Sequence, residues 1–290
     1  MEKRENPFQI AIYLYSGVTA LDAVGPWEVL SRMPNTEVRF VAKETGPVTT
    51  EGGALLLGAT HTMAETLSPD LVLVPGGSTT PGQMVDDEVL EWLRKVHEKT
   101  VWTTSVCTGS LILAAAGILK GLPATTHWIK MGVLKTMGSK PQPTERIVRS
   151  GKIVTAAGVS AGIDLGLWLV SEIAGREQAE VIQLFIEYDP KPPFDSGHVT
   201  KASEETQRRA KEMMDQAMPT ISIVSSPRLP GGVSSISSAR GNNITLLPSP
   251  FIYRYDSANA CSYRISPFGA GGGTEGVTKL IEGHLFCTDN

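Results

Sequence analysis

Apolar runs of the kind that form buried strands alternate with helix-forming segments as far as residue 187. The run QIAIYLY at residues 9–15 precedes the helical segment LDAVGPWEVLSRM. The alternation continues through EVRFVAK, DLVLVPGG, DEVLEWLRKVHEK, TVWTTSV, KIVTAAG and GIDLGLWLVSEIAG. Strands of continuous Val, Ile and Leu are typical of a parallel sheet covered on both faces, and connections between parallel strands are right-handed. The pattern therefore predicts an α/β fold, a doubly wound and mostly parallel sheet with helices on both faces.

The composition changes abruptly at Pro219. The stretch that follows, PTISIVSSPRLPGGVSSISSARGNN, is dominated by Ser, Gly and Pro, and GAGGGTEG comes later. Such low-complexity composition contains too little apolar surface to offset the entropy of ordering a chain. We therefore predict two parts: an α/β domain at residues 8–217, and a mostly disordered, low-complexity carboxyl-terminal extension at residues 219–290.

Charge and cysteine content exclude several classes of protein. The net charge of −4 gives no basic surface for a phosphate backbone, so no nucleic-acid partner is expected. No apolar run is long enough to span a bilayer, and the amino terminus has no signal-like segment, which predicts a cytoplasmic protein without a membrane partner. The cysteine spacing fits neither a disulfide framework nor a zinc site, and the histidines lack metal-ligand spacing, so no metal is expected. The cysteines are Cys107, Cys261 and Cys287.

One cysteine lies where a predicted strand gives way to a predicted helix. In VWTTSVCTGS the strand ends at Val106 and the helix begins at Thr108, which places Cys107 at a sharp turn like that of a hydrolase nucleophile. The helix dipole favours an anion there, so we expect a lowered thiol pKa. The carboxyl ends of parallel strands are also where open sheets bind ligands. The alternative is a buried structural cysteine.

Two other strand ends carry candidate groups. In VLVPGGSTT, the backbone N–H groups of Gly76 and Gly77 are able to approach a reacting atom without a Cβ between them, although the pair also fits a simple tight turn. Asp22 follows the first strand among apolar residues, so its carboxylate needs a partner or a raised pKa. The alternative role for Asp22 is a helix cap. The nearby Glu28 lies further into the helix and is the weaker candidate.

Several segments in order resemble the DJ-1/PfpI superfamily, and within it most closely the isonitrile hydratases, over about residues 8–217. They are LDAVGPWEVL, VLVPGG, SVCTGSLILAAAGILKG, ATTHW, ERIVRSGKIVTAAGVSAGIDLGLWLV and QLFIEYDPKPPF. The resemblance implies a flavodoxin-like catalytic domain, a homodimer and no cofactor. It also implies that Cys107 is the nucleophile, that Asp22 is the acid/base, and that Thr108 lies beside the thiol. Backbone N–H groups of Gly77 and Thr108 would face the reacting centre, with Gly76 in the same substrate-binding loop.

The activity implied by this resemblance is hydration of a small-molecule isonitrile to an N-substituted formamide, by a hydro-lyase in natural-product metabolism or detoxification. Peptidase-like and glyoxalase-like members have histidine directly after the cysteine, whereas this chain has Thr108, which argues against those activities. His127 in ATTHW is the nearest substitute base, but a structural or pocket-lining role is favoured. The alternative functions are ligand sensing, as in related transcriptional regulators, and redox sensing through Cys107.

Overall fold

The computed structural model describes residues 6–217 and, further along, only segments that form strands. These later segments are 221–222, 234–238, 243–246, 251–255, 260–265 and 282–286. The chain divides into two units, Met1–Met218 and Pro219–Asn290.

A seven-stranded sheet forms the centre of the first unit. The strands of this unit are β1 (Phe8–Tyr13), β2 (Thr36–Ala42), β3 (Gly46–Thr49), β4 (Leu56–Ala59), β5 (His61–Thr62), β6 (Leu71–Val74), β7 (Trp102–Val106), β8 (Pro123–Ala124), β9 (Lys140–Pro141), β10 (Ile147–Ser150) and β11 (Ile153–Ala156). The central sheet has the order β10-β11-β7-β6-β1-β2-β5, while β3 and β4 form a hairpin and β8 pairs with β9.

Helices cover both faces of this sheet. They are α1 (Ala20–Leu30), α2 (Thr80–Gln83), α3 (Asp87–Lys99), α4 (Gly109–Ala115), α5 (Met131–Thr136), α6 (Ala161–Ala174), α7 (Arg176–Phe185) and α8 (Glu204–Ala217), with a 3-10 turn at Trp128–Lys130. Helix α1 packs against α6, and α4 packs against α3 and α5. Right-handed connections produce these two layers because the chain winds outward in both directions from β1.

The strand order confirms the predicted doubly wound sheet. Every pair of neighbours in the central sheet is parallel except β10 with β11, which is antiparallel. Without the flanking β5 and β10, the order β2-β1-β6-β7-β11 is the 2-1-3-4-5 order of flavodoxin-like folds. The winding direction reverses between β1 and β6, so the loops after these two strands diverge and leave a crevice at the carboxyl edge of the sheet.

The core follows from the continuous apolar strands. All residues of β6, β7 and β11 are buried. Each fully buried Leu, Ile or Val side chain contributes roughly 1.5–3 kcal/mol to folding. Helix α3 is amphipathic and begins after Asp86, whose carboxylate accepts a hydrogen bond from the Val89 N–H at 3.3 Å. Its buried residues are Val89, Leu90, Trp92, Leu93 and Val96.

In the second unit the described strands belong to two three-stranded sheets with antiparallel pairing. They are β12 (Ile221–Ser222), β13 (Ser234–Ser238), β14 (Asn243–Leu246), β15 (Phe251–Tyr255), β16 (Ala260–Ile265) and β17 (Glu282–Phe286). The remainder of the extension at 219–290 lies outside the described residues, so its disorder stays a prediction. Among the helices that the structure describes, none has the length and apolar character needed to cross a membrane.

Candidate active site

The carboxyl ends of three neighbouring strands bring the predicted site residues together. Asp22 lies in the first turn of α1 after β1, the glycine pair follows β6, and Cys107 follows β7. The Gly76 N–H donates to Asp22 Oδ2 at 2.9 Å, and the Gly77 N–H donates to Thr108 Oγ1 at 3.1 Å. All five residues therefore form one connected cluster beside the point where the strand order reverses.

Cys107 occupies a strained turn between β7 and α4. Its φ of +57° lies in the left-handed region, which costs a residue other than glycine on the order of 1–3 kcal/mol. Backbone and side-chain hydrogen bonds hold the turn: the Cys107 N–H donates to Ala157 O at 2.9 Å, and the Cys107 carbonyl accepts from the Thr126 hydroxyl at 3.0 Å and the Ser110 hydroxyl at 3.3 Å. The predicted strand-to-helix position of the cysteine is confirmed.

Close packing at Gly109 allows this turn to lie against the neighbouring strand. A Cβ on Gly109 would lie 1.9 Å from the Val74 carbonyl oxygen. No side chain fits at that distance, so glycine is required for the start of α4 to approach the end of β6. The small residue after Thr108 thus determines how near the cysteine lies to the glycine pair.

The carboxyl group of Asp22 is fully buried. The helix-cap alternative is wrong for this residue, because Thr19 is the N-cap of α1 and Asp22 instead accepts the Gly76 N–H. The pKa of Asp22 is raised to about 7, chiefly because burial disfavours the carboxylate. The Gly76 N–H opposes this increase, the negative charge of Glu51 adds to it, and the Cys107 side chain opposes it to a smaller extent. Oδ1 has no hydrogen-bond partner among the residues that the structure describes.

The pKa of the Cys107 thiol is raised well above its usual value, chiefly by burial and also by the charge of Asp22. The expectation of a lowered thiol pKa is therefore wrong. Helix α4 has seven residues, and its N-terminal field does not offset the removal of a thiolate from water. The backbone N–H groups of Val159 and Thr108 favour the thiolate only in part. At neutral pH the resting thiol keeps its proton, and Asp22 is the neighbour that titrates.

The side chain of Thr108 accepts a hydrogen bond from the Gly77 N–H, a group that was expected to face the reacting centre. The Gly77 N–H points at Thr108 Oγ1, and the Gly76 N–H points at Asp22, so in this structure both amides are engaged inside the protein. Buried polar groups need such partners, which explains the difference from the expectation. The backbone N–H of Thr108 acts on the cysteine sulfur. Substrate contact by Gly76 and Gly77 stays a prediction.

Sequence reasoning missed three groups around the cysteine. Val159, between β11 and α6, has a φ of +20° and directs its N–H at the sulfur. Thr80 is fully buried with its Oγ1 2.8 Å from Thr108 Oγ1, and Glu51 is an exposed carboxylate whose charge acts on both Asp22 and Cys107. All three come from separate segments, so only the fold brings them near the site.

His127 is uncharged at neutral pH. Burial lowers its pKa to about 4, and Nδ1 accepts a hydrogen bond from the Ile129 N–H at 3.4 Å at the start of the 3-10 turn. A neutral imidazole that caps a turn fits the structural role favoured above. Within the described part of the chain, no cluster of three or more His, Cys, Asp or Glu side chains is arranged to hold a metal ion.

Comparison with known proteins identifies a family and several relatives of this chain. A model of the DJ-1/PfpI family matches residues 8–172. The chain belongs to the DJ-1/PfpI family. Isonitrile hydratase from Pseudomonas putida is 42% identical to it over 189 residues, which are 65% of this chain and 82% of that protein. The HTH-type transcriptional regulator CdhR of Pseudomonas aeruginosa is 28% identical over 176 residues, which are 52% of the regulator.

Solved structures of the DJ-1/PfpI family have the same fold. A ThiJ/PfpI family protein from Pseudomonas syringae superposes with a TM-score of 0.70 at 36% identity, covering 73% of this chain and 87% of that one. Drosophila melanogaster DJ-1beta superposes with a TM-score of 0.58 at 17% identity, covering 62% of this chain and 98% of that one. The second likeness, at such low identity, concerns the fold alone.

Proposed function

We propose that this DJ-1/PfpI protein is an isonitrile hydratase-like enzyme, a hydro-lyase that adds water to an isonitrile and releases an N-substituted formamide. The observation that carries the proposal is the buried pair of Cys107 and Asp22, in which the carboxyl has a pKa of about 7. Such a carboxyl is both an acid and a base near neutral pH. The 42% identity to isonitrile hydratase from Pseudomonas putida supports the same substrate class.

The first half of the reaction forms a covalent intermediate on Cys107. The sulfur attacks the terminal carbon of R–N≡C as its proton moves to Asp22, and a C–S bond forms. Asp22 then gives that proton to the same carbon, which yields the thioimidate R–N=CH–S–Cys107. The unpartnered Oδ1 of Asp22 is the atom available for this proton, since Oδ2 accepts the Gly76 N–H. The thiol hydrogen ends on the carbon, so the step is balanced.

The second half consumes water. Asp22 takes a proton from a water molecule whose oxygen attacks the thioimidate carbon, and it passes that proton to the nitrogen. Collapse of R–NH–CH(OH)–S–Cys107 breaks the C–S bond, returns the proton to the sulfur and releases R–NH–CHO. The N–H groups of Val159 and Thr108, which favour negative charge on the sulfur, assist the departure of Cys107. The chain's own groups perform every proton transfer.

A ligand-sensing function is the second candidate, and the similarity to the regulator CdhR favours it. Redox sensing is less well supported, because sensor cysteines are exposed and have a low pKa, whereas Cys107 is buried and its pKa is raised. A sensor would bind an isonitrile or a related ligand without turning it over.

The test is formamide production from a simple aryl isonitrile, followed by absorbance. We expect turnover by the natural chain and none by Cys107→Ala or Asp22→Asn. Asp215→Asn, which changes an exposed aspartate on α8, is the matched control and keeps full activity. Absence of turnover by the natural chain with several isonitriles would overturn the enzyme proposal, and binding without turnover would favour sensing.

Three further proposals accompany this function. The catalytic domain spans residues 8–217, the protein acts in the cytoplasm on natural-product isonitriles, and it is a homodimer as the family resemblance implies. Sedimentation equilibrium of the full chain checks the last point: a mass of two chains is expected, and a mass of one chain contradicts it.

A further inference from the structure

Three buried hydroxyl groups form a chain that leads to the cysteine turn. Tyr15, just after β1, has its hydroxyl 3.1 Å from the Pro75 carbonyl oxygen and 3.2 Å from Thr80 Oγ1. Thr80, the first residue of α2, has Oγ1 2.8 Å from Thr108 Oγ1. We propose that Tyr15 and Thr80 are positioning residues, whose hydroxyls fix Thr108 and through it the geometry of Asp22.

The direction of the hydrogen bonds between these three hydroxyls follows from counting the available protons. The Pro75 carbonyl only accepts, so it takes the single proton of the Tyr15 hydroxyl. Thr80 therefore donates to Tyr15, and Thr108 donates to Thr80. The lone pairs of Thr108 Oγ1 are then free to accept the Gly77 N–H at 3.1 Å. One arrangement of protons satisfies all of these groups, and it leaves the Thr108 hydroxyl with no proton for a substrate.

This arrangement ties the glycine loop to the cysteine turn. Thr108 Oγ1 holds the Gly77 N–H, and the preceding Gly76 N–H holds Asp22 Oδ2. Loss of the Thr80 hydroxyl leaves the Thr108 donor buried without an acceptor, and the loop relaxes to find another. The Gly76 N–H then binds the carboxylate less well. Since this hydrogen bond lowers the pKa of Asp22, weakening it raises that pKa.

The groups that act on Asp22 come from separate elements. They are the Gly76 N–H after β6, the Cys107 side chain after β7, and the Glu51 carboxylate after β3. Tyr15 also interacts with Asp22, and burial keeps its hydroxyl protonated by raising its pKa well above the usual value. Thr80 is proposed to act on Asp22 through the Gly76 N–H, whereas Glu51 acts on Asp22 from the loop after β3. Substitutions can therefore separate the two effects.

The experiment compares Thr80→Val, Thr80→Ser and Thr104→Val in the full chain. Thr104 on β7 is the matched control, because its buried hydroxyl donates to the Val72 carbonyl at 3.0 Å outside the hydroxyl chain. The measurement of isonitrile turnover in these variants rests on the proposed function. The rate of iodoacetamide addition to Cys107, followed by mass analysis of its peptide from pH 5 to 10, does not depend on that function.

We expect Thr80→Val to lower kcat for isonitrile hydration about tenfold with KM little changed, as the loss of one buried hydrogen bond implies. The step of its alkylation profile that reports Asp22 moves to higher pH. Thr80→Ser restores both quantities, and Thr104→Val changes neither. If Thr80→Val does not fold, Tyr15→Phe takes its place with the same expected shift. An unchanged alkylation profile in the folded variant, or failure of serine to restore it, overturns the proposal whether or not an isonitrile is turned over.

Discussion

At the scale of the residue, Asp22 makes the stability of the fold depend on pH. Its pKa rises from 3.8 to about 7 on folding, so the native state prefers the protonated form. This stabilisation is fully present below pH 3.8 and is lost as the pH rises through about 7. The change in the pKa of Asp22 on folding corresponds to a contribution to stability on the order of 4 kcal/mol. We expect Asp22→Asn to exceed the natural chain in free energy of unfolding at pH 8, and the advantage to disappear towards pH 4.

Urea unfolding of the two proteins at each pH measures this difference, and other titrating groups cancel in the comparison. Asp215→Asn makes the same substitution at an exposed site on α8 and serves as the control. A constant difference between Asp22→Asn and the natural chain from pH 4 to 8 would contradict a raised pKa.

The exposed carboxylate of Glu51 provides a second prediction at this scale. Its negative charge raises the pKa of Asp22, so Glu51→Gln lowers that pKa. The glutamine keeps an oxygen that accepts the Thr19 hydroxyl, which lies 2.9 Å from Glu51 Oε2, and the loop is preserved. We expect the step of the pH–rate profile that reports Asp22 to move to lower pH. Glu44→Gln removes the same charge from the exposed bend between β2 and β3 and leaves the step in place.

At the scale of the element, the loop between β6 and α2 has no room for a side chain. A Cβ on Gly76 would lie 2.4 Å from Thr108 Oγ1 and 2.6 Å from the Thr108 nitrogen. Gly76→Ala therefore pushes the loop away from the cysteine turn, and we expect it to lower stability by roughly 1–3 kcal/mol and to abolish turnover.

Gly82→Ala is the matched control for this change. It lies in α2, six residues along the chain, and its Cβ would meet nothing within 4 Å. Urea unfolding and the turnover assay should show Gly82→Ala close to the natural chain, or slightly more stable, because alanine is the better helix former. Equal effects of the two substitutions would show that the loop is not tightly packed.

The sequence predicted the buried elements well. Helix α3 lies at Asp87–Lys99, which is the segment DEVLEWLRKVHEK that was predicted as a helix, and β7 ends at Val106 as expected. The hairpin of β3 and β4 was not predicted, because both strands are short and partly exposed and so lack a continuous apolar run. Strands of four residues give little periodic signal, and their pairing is a tertiary property.

The structure brings the predicted site residues together, but the pKa of the thiol differs from the expectation. The elbow position of Cys107 could be found from local sequence, because a strand end and small residues are local features. The direction of its pKa could not, since burial depends on segments far away in the chain. The same holds for Val159 and Thr80, whose contacts with the cysteine turn exist only once the sheet has formed.

At the scale of the whole molecule, the described hydrophobic core lies entirely within the first unit. Its residues run from Phe8 to Ile182, and the partly buried residues packed on it end at Ile186. We expect a chain that ends at Ala217 to keep the unfolding midpoint and the turnover of the full protein, measured by urea unfolding and the isonitrile assay. A chain that ends at Gly158 lacks α6, the partner of α1, and should not fold. Loss of folding in the chain that ends at Ala217 would contradict a first unit that folds on its own.

The strained backbone at Cys107 lowers the thermal stability of the fold while it holds the thiol in its turn. Glycine is the residue that adopts a φ of +57° without a clash, and relieving that clash stabilises a chain by about 1–2 kcal/mol. Cys107→Gly should therefore be more stable than Cys107→Ala, although both lack the sulfur. Directed evolution of this protein towards heat resistance alone would favour loss of the proposed nucleophile, so any such library needs a simultaneous screen for thiol reactivity.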